Sequence, residues 1–298
     1  MESNIVFIAE YLAIRYPDVF WALKLNSEAY GIKVNLIPNT RNIWSRDWMP
    51  IQVGDHFVKF VYDRYGTDFE QLMVPDESIW RRLIEPVIDS DIILDIGNVI
   101  MDFDRAIICD KVIAQNGPDV VKKLEWILQA EIIIVPIEPD DDLGHADGIC
   151  KWINENTVLI NEYSSCTKNA KAYIAYEKKL IKVLESHSLN YYKLPFAFDA
   201  WDWNMTEENF RKAFPEADDF NPGFGYYINF LKVDKLILAP AMGLAKDAEV
   251  RKMLKFLYPK YSIVFIDCRQ LSMEGGLLAC VTMDYQIGSK IDGNLKNG

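Results

Sequence analysis

The stretch Met273-Glu274-Gly275-Gly276-Leu277-Leu278-Ala279-Cys280-Val281-Thr282 carries a Gly-Gly pair followed by an apolar run. This pattern predicts a strand over residues 275–282, with Cys280 near its far end. A cysteine in such a run is usually a small buried hydrophobe. Its significance here comes from three upstream segments that place an ionisable side chain beside a glycine or a turn residue. They are Ser45-Arg46-Asp47, Asp95-Ile96-Gly97-Asn98 and Gly144-His145-Ala146-Asp147-Gly148.

These segments belong to a repeat whose copies begin near residues 47, 97, 147, 229 and 276. Most copies contain a predicted hairpin followed by a helix and a closing strand. A period of about fifty residues is typical of rings and arrays of supersecondary units, none of which buries its apolar face alone. We therefore predict an α/β fold, a five-bladed pseudo-symmetric α/β propeller of ββαβ units that forms one domain over residues 1–298. A plain parallel α/β sheet is the alternative.

Hydrophobic periodicity also locates individual elements. Apolar residues recur three and four apart between residues 4 and 30, which predicts one or two helices there. A further helix is predicted over residues 169–186. Strands are predicted over residues 92–101, 145–153, 157–161 and 262–267, with a strand end at residues 43–47.

Composition excludes several classes of protein. The formal net charge of −12 argues against non-specific binding to nucleic acid or to anionic membranes, and suits a cationic partner. The five cysteines are scattered without a CxxC pair, so we expect no disulfide framework and no zinc site. No metal-ligand cluster or phosphate-binding loop is evident, so no cofactor is expected. The sequence begins without a signal-peptide pattern, and we expect a cytoplasmic protein.

Residues 196–226 form the one long interval in the repeat. This segment is rich in aromatic and acidic residues. An extended insertion in a compact domain is often a lid or a binding loop, although a surface excursion packed by its own aromatic side chains is equally consistent with the pattern.

The ionisable residues of the repeat form a candidate site. In a ring of this kind the first strand of each unit lines the central channel, which would bring Asp47, Asp95, His145, Asp147 and Cys280 together. On a strand, His145 and Asp147 would face the same side because they are two residues apart. Taken singly, Asp47 could form a plain salt bridge and Asp95 could cap a turn.

In order along the chain, Trp44-Ser45-Arg46-Asp47, Leu94-Asp95-Ile96-Gly97-Asn98, Gly144-His145-Ala146-Asp147 and Gly275-Gly276-Leu277-Leu278-Ala279-Cys280 resemble the motifs of the agmatine deiminase and bacterial peptidyl-arginine deiminase family. These are guanidino-group-modifying enzymes of the pentein superfamily, and their fold is a five-bladed α/β propeller. The resemblance extends from about residue 43 to residue 282. It implies a hydrolase, with a place in putrescine and polyamine biosynthesis for its agmatine-specific members.

The resemblance also implies a role for each residue. Cys280 would be the nucleophile, His145 the general acid and base, and Asp95 the acid that orients the histidine. Substrate contacts would come from five residues: Asp47, Asp147, Arg46, Trp44 and Asn98. Two positions depart from the family pattern: the family usually has glutamate where this chain has Asp95, and agmatine deiminases usually have histidine where it has Ala279.

The sequence thus predicts a guanidine deiminase that converts a guanidino group to a ureido group and releases ammonia through a covalent intermediate on Cys280. Two alternatives use the same residues: an amidinotransferase with the same intermediate, and a non-catalytic module that binds guanidinium or amine. The expected partner is a small cationic guanidino compound, with no nucleic acid and no membrane. The sequence leaves open both the substrate (agmatine, arginine, peptidyl-arginine or another guanidine) and whether the protein is a homo-oligomer.

Overall fold

The structure is a computed structural model that describes residues 4–62, 76–139, 141, 143–166, 169–197, 206–213 and 223–287. The described strands are β1 (Ile5–Ala9), β2 (Lys33–Ile37), β3 (Ile51–Val53), β4 (His56–Val61), β5 (Val87–Ile93), β6 (Val99–Asp102), β7 (Arg105–Cys109), β8 (Glu131–Val135), β9 (Cys150–Asn154), β10 (Thr157–Asn161), β11 (Asn190–Leu194), β12 (Leu231–Val233), β13 (Leu236–Ala241), β14 (Ser262–Asp267) and β15 (Thr282–Tyr285).

Helices connect these strands. The described α-helices are α1 (Glu10–Arg15), α2 (Pro17–Ala29), α3 (Ser45–Trp48), α4 (Glu77–Arg81), α5 (Lys111–Asn116), α6 (Val120–Leu128), α7 (Ala170–Ser186), α8 (Glu207–Ala213) and α9 (Lys246–Leu257). Short 3₁₀ turns lie at Ile96–Asn98, Ala146–Gly148, Tyr163–Ser165 and Leu271–Glu274.

The described strands form mixed three-stranded sheets of one pattern. Their strand orders are β15-β1-β2, β3-β4-β5, β6-β7-β8, β9-β10-β11 and β12-β13-β14. In each sheet the first strand pairs antiparallel with the middle one, and the middle one pairs parallel with the third. The chain therefore has an α/β fold with mixed sheets, and the alternative of one plain parallel sheet is wrong.

Several elements lie where periodicity predicted them. Strands β10 and β14 have the predicted bounds, and α7 begins one residue later than predicted. Helix α7 buries Tyr173, Tyr176, Leu180 and Leu184, which lie three or four residues apart and so form one face. The middle strands are almost wholly buried, and β13 with its sequence LILAPA is an example.

The amino-terminal segment corrects the prediction of helices throughout residues 4–30. The first apolar residues form strand β1, which is buried along its whole length and pairs antiparallel with β15 from Ile5↔Tyr285 to Ile8↔Thr282. The Asn4 side chain extends this pairing, because its Nδ2 donates to the Ile287 carbonyl at 2.8 Å and its Oδ1 accepts from the Ile287 N–H at 2.9 Å. A short apolar run lacks the period that would separate a buried strand from a buried helix.

The predicted strand over residues 275–282 is wrong. Residues 277–281 form a helical turn, in which the Val281 N–H donates to the Leu277 carbonyl at 3.2 Å. Before it, Gly275 has a φ of 86°, a backbone conformation that favours glycine. Leu277, Leu278 and Val281 are all buried. The apolar run that suggested a strand is therefore a buried helical turn.

The other predicted inner strands contain similar turns. Residues 43–47 lead into helix α3, and residues 92–101 contain the end of β5, the turn at Ile96–Asn98 and the start of β6. Residues 145–153 contain the turn at Ala146–Gly148 before β9 begins at Cys150. Each of these segments therefore contains a helical turn that precedes the first strand of a sheet.

Two further predictions can be compared with the structure only where residues are described. Most of the insertion predicted at residues 196–226 lies outside them, and residues 207–213 form helix α8. In the described part of the chain, no helix is long and apolar enough to span a membrane.

Candidate active site

The predicted site residues lie in the short turns that precede the first strand of four sheets. Asp47 lies in helix α3 before β3, and Asp95 precedes the turn that leads into β6. His145 precedes the turn Ala146–Gly148 before β9, and Asp147 lies within that turn. Cys280 lies two residues before β15. His145 and Asp147 are thus not alternating residues of a strand, but the same turn directs both into one cluster.

His145 lies between two carboxylates. Its Nε2 is 3.4 Å from Asp95 Oδ2, and its Nδ1 is 3.9 Å from Asp47 Oδ1. Burial alone lowers the pKa of His145, but the charges of Asp47, Asp147 and Asp95, together with the hydrogen bond to Asp95, raise this pKa to about 9. The imidazole is therefore protonated at neutral pH and holds a proton that it can donate to a leaving group.

The loop that carries the histidine is fixed by another carboxylate. Asp141 Oδ1 accepts from the Leu143 N–H at 2.7 Å, and Asp141 Oδ2 accepts from the N–H groups of Gly144 at 3.0 Å and His145 at 3.2 Å. These bonds hold the backbone on which the imidazole is mounted.

Cys280 is buried, with 7% of its surface exposed, and its Sγ donates to Asp147 Oδ2 at 3.3 Å. Burial raises the pKa of the Cys280 thiol well above its usual range, and the charges of Asp147 and Asp47 raise it further. The thiol is therefore protonated as the structure stands, and a positive charge entering between these carboxylates would favour the thiolate.

Sequence reasoning missed Asn229. This residue is buried, and its Nδ2 lies 3.2 Å from Cys280 Sγ and 3.4 Å from the Asp147 carbonyl oxygen. Its Oδ1 accepts from the Ala279 N–H at 3.1 Å and from the Cys280 N–H at 3.4 Å. The signal was present in the sequence, because Asn229 stands at the start of the fourth copy of the repeat, to which no functional residue had been assigned.

Two glycines allow the cluster to close. A Cβ on Gly97 would lie 2.7 Å from both Asp47 Oδ1 and His145 Nδ1. A Cβ on Gly276 would lie 2.5 Å from the Trp44 ring and 3.1 Å from Cys280 Cβ. Trp44 therefore packs on the backbone immediately before the turn that carries the cysteine.

Arg46 and Asn98, which were expected to contact substrate, bind the protein itself. Arg46 Nε donates to the Ala279 carbonyl at 2.7 Å and its Nη2 to Asp284 Oδ1 at 2.8 Å. Asn98 Oδ1 accepts from the Cys109 N–H at 2.7 Å. Arg46 thus anchors the turn that carries Cys280, and Asn98 anchors the turn after Asp95 to strand β7.

Arg46 also lines a cavity of about 340 Å³ whose other polar lining includes Lys151, Lys232, Asp102 and Asp284. Lys232 Nζ pairs with Asp102 Oδ2 at 3.0 Å. Lys151 Nζ lies 5.3 Å from the centroid of the Phe230 ring. Burial lowers the pKa of Lys151 to about 8, and the nearby Arg46 adds to this effect.

Metal ligation is not indicated by the geometry of the described residues. Among them, no group of three or more His, Cys, Asp or Glu side chains is arranged to hold a metal ion.

The comparisons with known proteins agree with the sequence motifs. The model of one family, described as Porphyromonas-type peptidyl-arginine deiminase, matches residues 22–285. The chain belongs to this family. Its relatives include the agmatine deiminase of Ectopseudomonas mendocina, 38% identical over 151 residues that make up 48% of this chain and 40% of the relative. The matches to curated relatives of this deiminase family thus span less than half of each relative's length.

Solved structures resemble this deiminase family member over nearly the whole chain. The C. jejuni agmatine deiminase aligns with a TM-score of 0.75 and 18% identity, covering 96% of this chain and 94% of that one. The agmatine deiminase of Enterococcus faecalis aligns with a TM-score of 0.69 and 16% identity, covering 95% and 93%. At these identities the likeness shows that the chain shares their fold.

Proposed function

We propose that the protein is a guanidine deiminase, a hydrolase that converts a guanidino group to a ureido group with release of ammonia. The observation that carries the proposal is the contact of Cys280 Sγ with Asp147 Oδ2 at 3.3 Å in a buried cluster that also holds the Asp95–His145 pair. Family membership supports the same reaction class. The names of the relatives point to agmatine, and arginine-like guanidines are the wider substrate class.

Substrate binding follows from the charges of the cluster. A guanidinium is planar and cationic, and carboxylates bind it through paired hydrogen bonds. We assign this task to Asp47 and Asp147, because the charges of both act on His145 and on Cys280. A guanidinium at Asp147 would take the oxygen that now accepts from the Cys280 thiol. It would also place a positive charge near sulfur, which favours ionisation of the thiol with release of its proton to solvent.

The reaction then needs one nucleophile and one proton carrier. The Cys280 thiolate attacks the guanidinium carbon and forms a C–S bond. Ammonia leaves with a proton from His145, and a covalent thiouronium remains. Neutral His145 next takes a proton from water as the water attacks the same carbon. The C–S bond breaks, the thiolate returns, and the hydroxyl that came from water loses its remaining proton to solvent as the ureido product is released.

We propose the finer architecture on the same basis. The five sheets that the described strands form share one pattern, and the described strand nearest the amino terminus pairs with the strand that follows Cys280. This pairing supports a closed five-bladed ring that forms a single domain, with the cluster at its centre.

The test is product formation on a panel of agmatine, arginine, arginyl peptides and methylated guanidines. We expect ureido product and ammonia from at least one member without added amine, loss of both in Cys280→Ser, and a Cys280 adduct by intact mass. Cys166→Ser alters another buried thiol and is the matched control that should retain turnover.

Two results would overturn the proposal. Turnover that survives in Cys280→Ser would exclude the covalent mechanism. Amidino transfer to an added amine, with no ammonia in its absence, would identify the amidinotransferase instead.

A further inference from the structure

The sheet β12-β13-β14 contributes a residue to the cluster in the same way as the others. Asn229 lies two residues before β12, as Cys280 lies two residues before β15. It is 3% exposed, which is unusual for an asparagine unless its polar groups are bound. All four of its side-chain contacts are with the Cys280 turn or with Asp147.

These contacts fix which way the amide faces. The N–H groups of Ala279 and Cys280 are backbone donors, so the side-chain atom that they bond, at 3.1 and 3.4 Å, is the oxygen. The NH₂ group must then point the other way, towards Cys280 Sγ at 3.2 Å and the Asp147 carbonyl at 3.4 Å. An amide can orient only as its partners allow, and here the partners leave one orientation.

Donation to sulfur has a chemical consequence. The sulfur is surrounded by groups that oppose its ionisation, namely apolar neighbours and the carboxylates of Asp147 and Asp47. An N–H donor held against sulfur favours the charged form of the thiol over the neutral form. The same contact restricts where the sulfur can lie relative to Asp147.

We propose that Asn229 is a positioning residue that holds Cys280 Sγ beside Asp147 and stabilises the thiolate through its Nδ2–H. This inference rests on the proposed function, in which the thiolate is the nucleophile. When a guanidinium engages Asp147 and the thiol loses its proton, the hydrogen bond from Asn229 remains as a fixed donor. The backbone bonds to Oδ1 keep that donor in place through both halves of the reaction.

The test measures the thiol directly and requires no substrate. The rate of Cys280 alkylation by iodoacetamide is followed against pH by peptide mass mapping in the wild type, Asn229→Asp and Asn229→Leu. The aspartate keeps the oxygen that accepts from the Cys280 turn but removes the N–H donor. The leucine has a similar volume, removes the donor and adds no charge.

The control is Asn116→Asp. Asn116 also bonds backbone through both ends of its amide, accepting from the Ile93 N–H at 2.8 Å and donating to the carbonyls of Ile93 and Val112 at 2.9 Å. It lies in helix α5, outside the cluster. If replacing the amide only destabilises the fold, Asn116→Asp and Asn229→Asp will both lose stability. A change in the alkylation of Cys280 should occur only when Asn229 is replaced.

We expect the midpoint of alkylation to rise by about one to two pH units in both Asn229 variants, since a hydrogen bond to a charged group is lost. At a fixed pH below the midpoint, alkylation should slow by about 10- to 100-fold. Asn116→Asp should have the wild-type midpoint.

The proposal is overturned if the midpoint is unchanged in the Asn229 variants, or if it moves in Asn229→Asp alone, because charge repulsion would then explain the shift. Failure of the proposed function is a separate result: a shifted midpoint in a protein that produces no ureido compound would leave the role of Asn229 intact. An unchanged midpoint in an active deiminase would remove only that role.

Discussion

Substitution of Gly97 by alanine tests whether the spacing of the cluster controls the reaction. Gly97 lies in the turn Ile96–Asn98, where its backbone passes against Asp47 and His145. Its φ lies outside the left-handed region, so alanine introduces no backbone strain. The effect of the new methyl group therefore falls on the two side chains that it meets.

The size of the displacement follows from the distances. The new Cβ would lie 2.7 Å from Asp47 Oδ1 and 2.7 Å from His145 Nδ1, whereas ordinary contact begins at 3.4 Å. Each side chain must then move by about 0.7 Å, and a misplacement of about 1 Å in a catalytic arrangement can reduce turnover by roughly 100-fold. We expect kcat/KM to fall by about 10- to 100-fold. Overpacking should lower the free energy of unfolding by about 1–3 kcal/mol.

The assay is ureido-product formation per folded molecule, with stability measured by chemical denaturation. Gly148→Ala is the matched control. Gly148 ends the corresponding turn of the next repeat, and among the described residues a Cβ there would meet the Tyr226 ring at an ordinary contact distance of 3.7 Å. We expect this control to retain turnover within a few-fold. Wild-type turnover in Gly97→Ala, or an equal loss in both variants, would refute the argument from spacing.

Two further predictions concern buried charge. Because the pKa of His145 is raised to about 9, protonated His145 stabilises the fold fully below pH 6.5, and this stabilisation is lost as the pH rises to 9. By chemical denaturation, the free energy of unfolding of the wild type should exceed that of His145→Gln by about 1–3 kcal/mol below pH 6.5, and the difference should fade by pH 9. Because the pKa of Lys151 is lowered to about 8, the charge of Lys151 opposes folding below pH 8. At pH 7 the free energy of unfolding of Lys151→Met should therefore exceed that of the wild type by about 1–3 kcal/mol, and the difference should vanish near pH 10.5. Lys232→Met, which breaks an ion pair with Asp102, should show no such gain, and equal stabilisation by both variants would contradict the explanation.

The sequence predicted helix α7 from its period, because its apolar residues recur three and four apart over several turns. Strands β10 and β14 were predicted from short apolar runs that follow turn residues. The spacing of the five copies was also visible, because each sheet begins with the same kind of segment. These features depend on which side chains of one element are buried, and the spacing of apolar residues in the sequence shows this directly.

The turns that carry the site could not be predicted in the same way. Leu277, Leu278 and Val281 are apolar in a helical turn just as they would be in a strand, since tertiary packing buries the segment on all sides. Strand β1 is ambiguous for the same reason, and its pairing with β15 depends on residues far away in sequence. Asn229 was missed because asparagine usually marks a turn, and its contact with Cys280 exists only after the sheets β12-β13-β14 and β15-β1-β2 meet.

The pairing of β1 with β15 sets the timing of assembly during synthesis. Tyr285 leaves the ribosome about 280 residues after its partner Ile5, an interval on the order of tens of seconds at ordinary elongation rates. Until then β1 has only β2 beside it, and one edge of a wholly apolar strand is open to chaperones or to other chains. Cys280 lies two residues before β15, so its sulfur reaches Asp147 in the same late step. A nascent chain therefore holds the acids and the imidazole before it holds the proposed nucleophile.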